Sequence, residues 1–308
     1  MTEPPNDQAQ SSLPLSDIAE AAIERANQRI HERAERRAEF DQTLPTPSEN
    51  LVAWVDLLGF SEQITSAVTT EDFREAYRRI HHIHALFDKE TASEHSDQAE
   101  INAAVGRRVI ALSDGLFVAA DIEHISSEEE GFGDLYDGAG YFLEGIRLAQ
   151  ALSAVQGNFL RGGIARGLFW FDQDILLSPP LVDAYRMESR IARMPAIIIE
   201  RELADEIRTG RAEAGYVEDV DPMAKLYREC DWMPDEDRAR FVMLDFMQAF
   251  LFDGDDPTPH LLRYRQTILE GRSSAQERDL PKYNWLYDYA CYFVDEELPN
   301  IENMFSGS

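Results

Sequence analysis

The sequence predicts an α/β (α+β) domain, a mixed sheet flanked by helices in the order βααββαβ. Three observations predict it. A continuous apolar run, LVAWV at 51–55, stops on Asp56 and is followed by LLGF and a helical segment. Two further apolar runs, 108–112 and 116–120, flank the turn formers Ser113-Asp114-Gly115, which reads as a hairpin. Between and after these lie segments with apolar residues at helical spacing, so the first strand and the hairpin share one sheet.

Taken in order, residues 1–16 are rich in Pro, Ser, Asn and Gln and read as a flexible tail. Asp17 to Phe40 carries Ile18, Ala22, Ile23, Ala26 and Ile30 on one narrow stripe of an Arg- and Glu-rich helix. Pro45-Thr46-Pro47 separates that helix from the strand. A helix is expected from near Ser61, and another over 71–89 through Phe73, Tyr77, Ile80, Ile83, Leu86 and Phe87. After the hairpin, the acidic stretch 121–137 is a solvated loop, and Tyr141 to Val155 is an amphipathic helix. FLRGGIARGLFWF (159–171) is a long strand whose small residues admit close approach of a backbone or a ligand. Ser178-Pro179-Pro180 opens a helix that finishes before Pro195, and Ala196 to Ile199 is a strand. The last third is expected to hold a strand over Phe241 to Phe252 and helices over 259–271 and 281–297, the latter packing through its aromatic residues. The domain divisions are then 1–45 for the tail and N-terminal helix, 46–255 for the central domain and 256–308 for C-terminal helices packed on it.

Composition limits the function classes. The chain has 308 residues, 44% of them hydrophobic, and a formal charge of −29 from 58 acidic and 29 basic residues. Nucleic acid and anionic membrane would be repelled by most of such a surface, and a small anionic substrate would need cations beside it. Cys230 and Cys291 stand far apart, outside any CxxC spacing, so neither a disulfide framework nor a thiolate metal site is expected. The N-terminus lacks the basic start and apolar stretch of a secretory signal, and a cytoplasmic location is expected. Neither GxGxxG nor GxxxxGK[ST] occurs, which disfavours a P-loop enzyme.

Asp56 and Asp114 are the candidates for chemistry. Each sits within or at the end of an apolar strand, where a lone carboxylate is costly to desolvate, and two in one sheet invite a shared cation. Oxygen ligands suit Mg²⁺ or Mn²⁺, and a pair of ions can activate an attacking oxygen and stabilise a leaving one. The alternative is that both aspartates merely end strands and cap turns. His81, His82 and His84 share a helix without an HExxH pattern, and a metal there is disfavoured. Ser113 lacks a nucleophile setting and is read as a turn residue.

The run WVDLLGFSE (54–62) resembles the metal-binding strand and turn of class III nucleotide cyclases, IALSDGLFV (110–118) resembles their second metal-binding hairpin, and LVDAYRMES (181–189) is similar to their transition-state helix. RGGIARG (161–167), SPPLVDAYRMES (178–189) with PAIII after it, and KYNWLYDYA (282–290) look like the bacterial Pycsar cyclases, which make cyclic UMP or cyclic CMP as an antiphage second messenger. The resemblance implies a class III cyclase-like palm, with Asp56, Asp114 and the backbone carbonyl of Leu57 holding two Mg²⁺ or Mn²⁺ ions. It implies a homodimer in which Arg186 serves the partner's phosphates; on spacing alone Arg186 pairs with Asp183. Phe60, Arg108 and Asp174 are the substrate-binding candidates. Arg108 shares a strand face with Ile110 and would reach a uracil carbonyl, and Asp172 or Asp174 stands where the family's base-contacting acid falls; each is equally readable as a surface residue. The sequence departs from purine cyclases at Val182, where many carry Asn, and near Ile110, where adenylate cyclases carry Lys. The implied reaction is UTP to 3′,5′-cyclic UMP and diphosphate. Cyclic CMP synthesis and a silent homologue acting as nucleotide sensor or dimer scaffold are the alternatives.

Overall fold

Two long antiparallel strands form the middle of the sheet. β1 (Ser48–Leu57) pairs along its whole length with β4 (Leu160–Phe171), and its other edge pairs with β3 (Gly115–Asp121), which continues to β2 (Arg108–Leu112). Beyond β4 the order runs through β6 (Ile197–Glu200), parallel to it, then β8 (Phe241–Leu244) and β7 (Tyr227–Glu229), while the short β5 (Leu176–Leu177) pairs back onto the end of β4. The computed structural model describes residues 24, 27–37, 46–87, 107–121, 138–171, 175–213, 224–251 and 256–299. Residues 27–37 form a helix, α1, in a unit of the chain distinct from that of 47–308. The predicted tail, the acidic stretch 128–130, Asp172 and Asp174 lie outside the described residues.

The predicted βααββαβ order is present: β1, α2 (Phe60–Ser66), α3 (Thr70–Phe87), β2, β3, α4 (Gly138–Ala154), β4. Alternation along β1 sends Leu51, Ala53, Val55 and Leu57 to one face, where they are covered by Ala76, Ile83 and Phe87 of α3 and by Phe142 and Ile146 of α4. The other face, carrying Val52, Trp54 and Asp56, takes α5 (Pro179–Arg190). Ser178 caps α5 through its hydroxyl, which accepts the Leu181 N–H at 3.1 Å, and prolines fill the first helical positions. Burial at Pro180, Ala184, Met187 and Glu188 marks the side laid on the sheet.

Close seating of α5 depends on Gly163. A Cβ there would stand 2.5 Å from both the Ala184 carbonyl oxygen and the Met187 Cβ. Gly163→Ala is therefore expected to lift the helix and cost about 1–3 kcal/mol. The measurement is urea unfolding, in which the midpoint should fall at unchanged slope.

α6 (Arg201–Glu213), α7 (Asp235–Arg240), β7 and the C-terminal pair α8 (Thr258–Ser274) and α9 (Leu280–Glu297) complete the described fold. α8 and α9 contribute Leu261, Tyr264, Ile268, Leu286, Tyr289 and Phe293 to a second core shared with Ala184 and Met187. Of the aromatic residues of α9, Tyr283, Trp285, Tyr287, Tyr289 and Phe293 pack on this core as predicted, whereas Tyr292 is exposed and lies against the Arg228 guanidinium.

The predicted strand over Phe241 to Phe252 is corrected. β8 stops at Leu244, and Phe246–Leu251 is a 3₁₀ helix. Asp245 makes the break: its N–H donates to the Leu226 carbonyl at 2.9 Å, its carbonyl accepts Gln248 N–H at 3.2 Å, and its carboxylate accepts the Tyr289 hydroxyl. Burial pushes the Asp245 carboxyl above its ordinary range, while Tyr289 and Arg228 pull it back. With the folded value raised, the stability linked to this group is complete below the unfolded value of about 3.9 and is lost as pH rises through the folded value. Asp245→Asn keeps the acceptor for Tyr289 without the charge. Relative to wild type it is expected to gain stability between acid and neutral pH, which urea unfolding at both pH values will measure.

Candidate active site

Sheet register places the site. Asp56 stands opposite Gly115 on β3 and opposite Arg161 on β4, near the end of the central strand. Its carboxylate, 17% exposed, lies 3.0 Å from the Arg161 guanidinium. Arg161 also pairs with Glu188, a nearly buried acid on the underside of α5. One cation thus serves two carboxylates, one on the sheet and one on the helix. For Asp56, burial pushes the carboxyl above its ordinary range, Arg161 pulls it down, and the nearby Asp114 charge pushes it up again. Glu188 is raised by the same burial, opposed by Arg161 and reinforced by Asp56.

Asp114 reaches this place from the hairpin turn. Ser113 takes a left-handed φ of 58°, its role as a turn residue, and the turn is tied to β1 by the Leu57 N–H donating to the Asp114 carbonyl at 3.4 Å. The Ser61 hydroxyl, on α2, donates to the Asp114 carboxylate. The chain turns from β1 into α2 at Gly59, whose φ of 76° is one that glycine adopts without steric cost.

A cleft of about 360 Å³ opens at this corner, lined by Asp56, Leu57, Leu58, Gly59, Ser61 and Glu62, by Arg161, and by Arg278, Asp279 and Lys282 at the start of α9. Two roomier grooves, about 520 and 680 Å³, lie elsewhere, and their acidic residues, Glu200, Glu202, Asp205 and Glu75, are all exposed. Of these three, among the described residues, the smaller cleft is the one that joins half-buried carboxylates to several cations.

The sequence-predicted residues separate into those brought together and those left apart. Asp56 and Asp114 are neighbours, and Leu57 lines the same cleft. Phe60 requires correction as a substrate contact: its ring is 1% exposed, packed in the core beneath the Arg79 guanidinium, and no side-chain surface is left for a ligand. Arg108 does share the face of Asp56, as alternation predicts, yet its register partners Ala119 and Val52 put it four positions up the strand from Asp56, about 13 Å away along the chain direction. Its guanidinium lies over Phe171 at 5.2 Å. Arg186 is 58% exposed and forms the ion pair with Asp183, at 3.1 Å, that spacing alone predicts. Two positions before Glu188, it projects about 200° around α5 from the side facing Asp56, so it does not serve the site of its own chain. His81 stacks on Tyr77, and the His84 ring lies 3.3 Å from the Val109 carbonyl.

Sequence reasoning missed Arg161, Glu188, Arg278 and Lys282. The first carried a usable signal: a charge inside an apolar, small-residue strand is as anomalous as Asp56.

The donor set suits a hard divalent cation. Asp56 and Asp114 offer carboxylate oxygens and Leu57 a backbone carbonyl; Arg161 pairs with Asp56 and Glu188, while the Asp114 carboxylate accepts the Ser61 hydroxyl. Among the described residues no three Asp, Glu, His or Cys side chains form a complete metal cage. Mg²⁺ or Mn²⁺ held here would therefore keep water and substrate oxygens in its remaining positions, the usual state of Mg²⁺ at phosphate sites.

No family model matches the chain, and no curated protein matches it. Among solved structures it is similar to a bacterial light-regulated adenylyl cyclase, at 13% identity and a TM-score of 0.40 over 84% of this chain and 72% of that one. It is also similar to the guanylyl cyclase domain of the RhoGC fusion protein from Blastocladiella emersonii, at 12% identity and 0.35 over 66% and 98%. A class III adenylyl cyclase-like ATP-binding protein from Pseudomonas aeruginosa matches at 14% identity and 0.37 over 76% and 47%. At TM-scores below 0.5 these likenesses carry no argument about chemistry. No helix among the described residues is long and apolar enough to cross a membrane.

Proposed function

We propose that this chain is a nucleotide cyclase that converts UTP to 3′,5′-cyclic UMP and diphosphate. The observation that carries the proposal is that Asp56 lines a cleft with Arg161, Arg278 and Lys282 and has Asp114 beside it, in a chain whose formal charge is −29. Concentrating cations beside paired carboxylates on so acidic a molecule suits a ligand that is anionic and brings metal with it.

In the reaction the ribose 3′ oxygen bonds to the α-phosphorus, the bond from that phosphorus to the bridging oxygen breaks, and diphosphate leaves with its electron pair. The 3′ proton passes to solvent. Bound at Asp56, Asp114 and the Leu57 carbonyl, two divalent ions would supply charge to the attacking and leaving oxygens. Arg161 adds fixed positive charge at the cleft wall, where phosphoryl transfer gains most from preorganised electrostatics. Glu188 and Asp56 hold its guanidinium from two sides.

The choice of a pyrimidine rests on the sequence resemblance, through Val182 and Ile110, with Arg108 and Asp174 retained as base-contacting candidates. A homodimer supports the outward Arg186, which would reach a site on the second subunit. Second-messenger synthesis in a Pycsar-type antiphage response is the biological role in keeping with this chemistry.

Purified protein incubated with each of the four ribonucleoside triphosphates and Mn²⁺ is the test. Cyclic UMP is expected. Cyclic CMP alone would correct the base and leave the chemistry standing, and no cyclic product from any of the four would overturn the enzyme reading. The pairing of Asp56 with Arg161 also suits a silent homologue, in which the guanidinium takes the place of a metal. Calorimetric titration with Mn²⁺ separates the two, because only the cyclase requires the ion.

A further inference from the structure

We infer that Lys282 and Arg278, at the start of the C-terminal helix α9, bind the polyphosphate tail of the ligand, the part that leaves as diphosphate. The inference rests on the cyclase reading for the identity of that ligand.

The chain separation is large: α9 begins more than two hundred residues after β1, yet Arg278, Asp279 and Lys282 line the same cleft as Asp56 and Gly59. Packing explains the juxtaposition. Leu286, Tyr289, Ala290 and Phe293 anchor α9 in the core shared with α5, and Tyr283 meets the ring of Phe159 just before β4, so the first turn of the helix is delivered to the end of the sheet.

Charge then distinguishes the cations. Arg161 is committed to Asp56 and Glu188, both of them half-buried or deeper. Among the described residues Lys282 pairs with Asp279 at 2.8 Å, and Asp279 also faces the Arg278 Nε at 3.5 Å. Arg278 pairs in addition with Glu62 on α2, across the cleft mouth. The carboxylate oxygens of Asp279 and Glu62 therefore occupy positions beside these cations that phosphate oxygens can take. Exchanging the exposed Arg278–Glu62 pair for phosphate costs little, and the Lys282–Asp279 pair, 23% exposed on each side, gives up more. The multiply charged tail gains charge-assisted hydrogen bonds in return.

The experiment uses inorganic tripolyphosphate as the probe, titrated calorimetrically into the full chain without metal. Wild type should bind it. Lys282→Gln and Arg278→Gln should each weaken binding about tenfold, as expected for losing one charge-assisted contact, and Lys282→Arg should restore most of it. In the cyclase assay Lys282→Gln should raise the KM for nucleoside triphosphate by a similar factor with a smaller change in kcat. Tripolyphosphate that fails to bind wild type, or binds the glutamine variants equally well, overturns the inference. Failure of the cyclase reading looks different: wild type makes no cyclic product while Lys282-dependent tripolyphosphate binding persists.

Discussion

Asp56→Ala is expected to lower the rate of cyclic-nucleotide formation by about a thousandfold or more, the loss that follows when several kcal/mol of metal-borne stabilisation of the transition state disappears. The fold is expected to survive. Burial already raises the Asp56 carboxyl, so its ionised form is a cost to the folded state. That cost is absent below the unfolded value of about 3.9 and reaches its full size above the raised folded value. Arg161 keeps Glu188 as a partner when Asp56 is removed. Thermal unfolding at neutral pH without metal should therefore match or exceed wild type, and the upward shift that Mn²⁺ produces in wild type should vanish. Turnover in the alanine variant comparable to wild type would remove Asp56 from the chemistry.

Arg161→Ala is expected to act on stability as strongly as on activity. Its guanidinium, 25% exposed, is the counter-charge of both Asp56 and Glu188. Deleting it leaves two poorly solvated carboxylates near each other and near Asp114, at a cost of about 3 kcal/mol. The sign of the pH dependence follows from the directions of the shifts. Both carboxyls are already raised, and losing Arg161 removes the influence that lowers them, so they rise further. The deficit of the variant should be small in acid, where both are protonated in the folded and unfolded states, and should grow as pH rises through their folded values. Urea unfolding at mildly acid and at alkaline pH measures it. Adding Glu188→Gln should return part of the lost stability at neutral pH, and a deficit unchanged by pH or by that second substitution would show that shape rather than charge sets the role of Arg161.

Much of the described sheet was readable from pattern. The apolar run before Asp56, the turn at Ser113 and Asp114, and the serine and prolines that open α5 are local signals, and each stands where expected. The adjacency of Asp56 and Asp114 was an expectation from the βααββαβ order, in which the first strand lies beside the hairpin, and β1 does pair with β3. Arg161 and Glu188 were harder because their meeting is a tertiary event: one lies on β4, the other on α5, and only the register of β4 against β1 brings the arginine beside Asp56. Lys282 opens the KYNWLYDYA run and Arg278 lies just before it, but nothing local in either shows that this helix start will line the cleft beside Asp56. Phe60 misled for the opposite reason. Its neighbours line the cleft, but the first turn of α2 sends its ring inward. The run after Phe241 was apolar enough to read as one strand, and the single charge of Asp245 was the clue that the backbone changes course there.

Seating α5 against Gly163 has a practical outcome for anyone wishing to watch this molecule work. With the Ala184 carbonyl and Met187 pressed to the strand backbone, rolling the helix would drive them into β4. Val182, Tyr185 and Ser189 are consequently carried at fixed height and azimuth on the solvent side. A fluorophore or spin label attached at Val182 would move with the sheet as one rigid body, and a change in its signal would announce something arriving from outside.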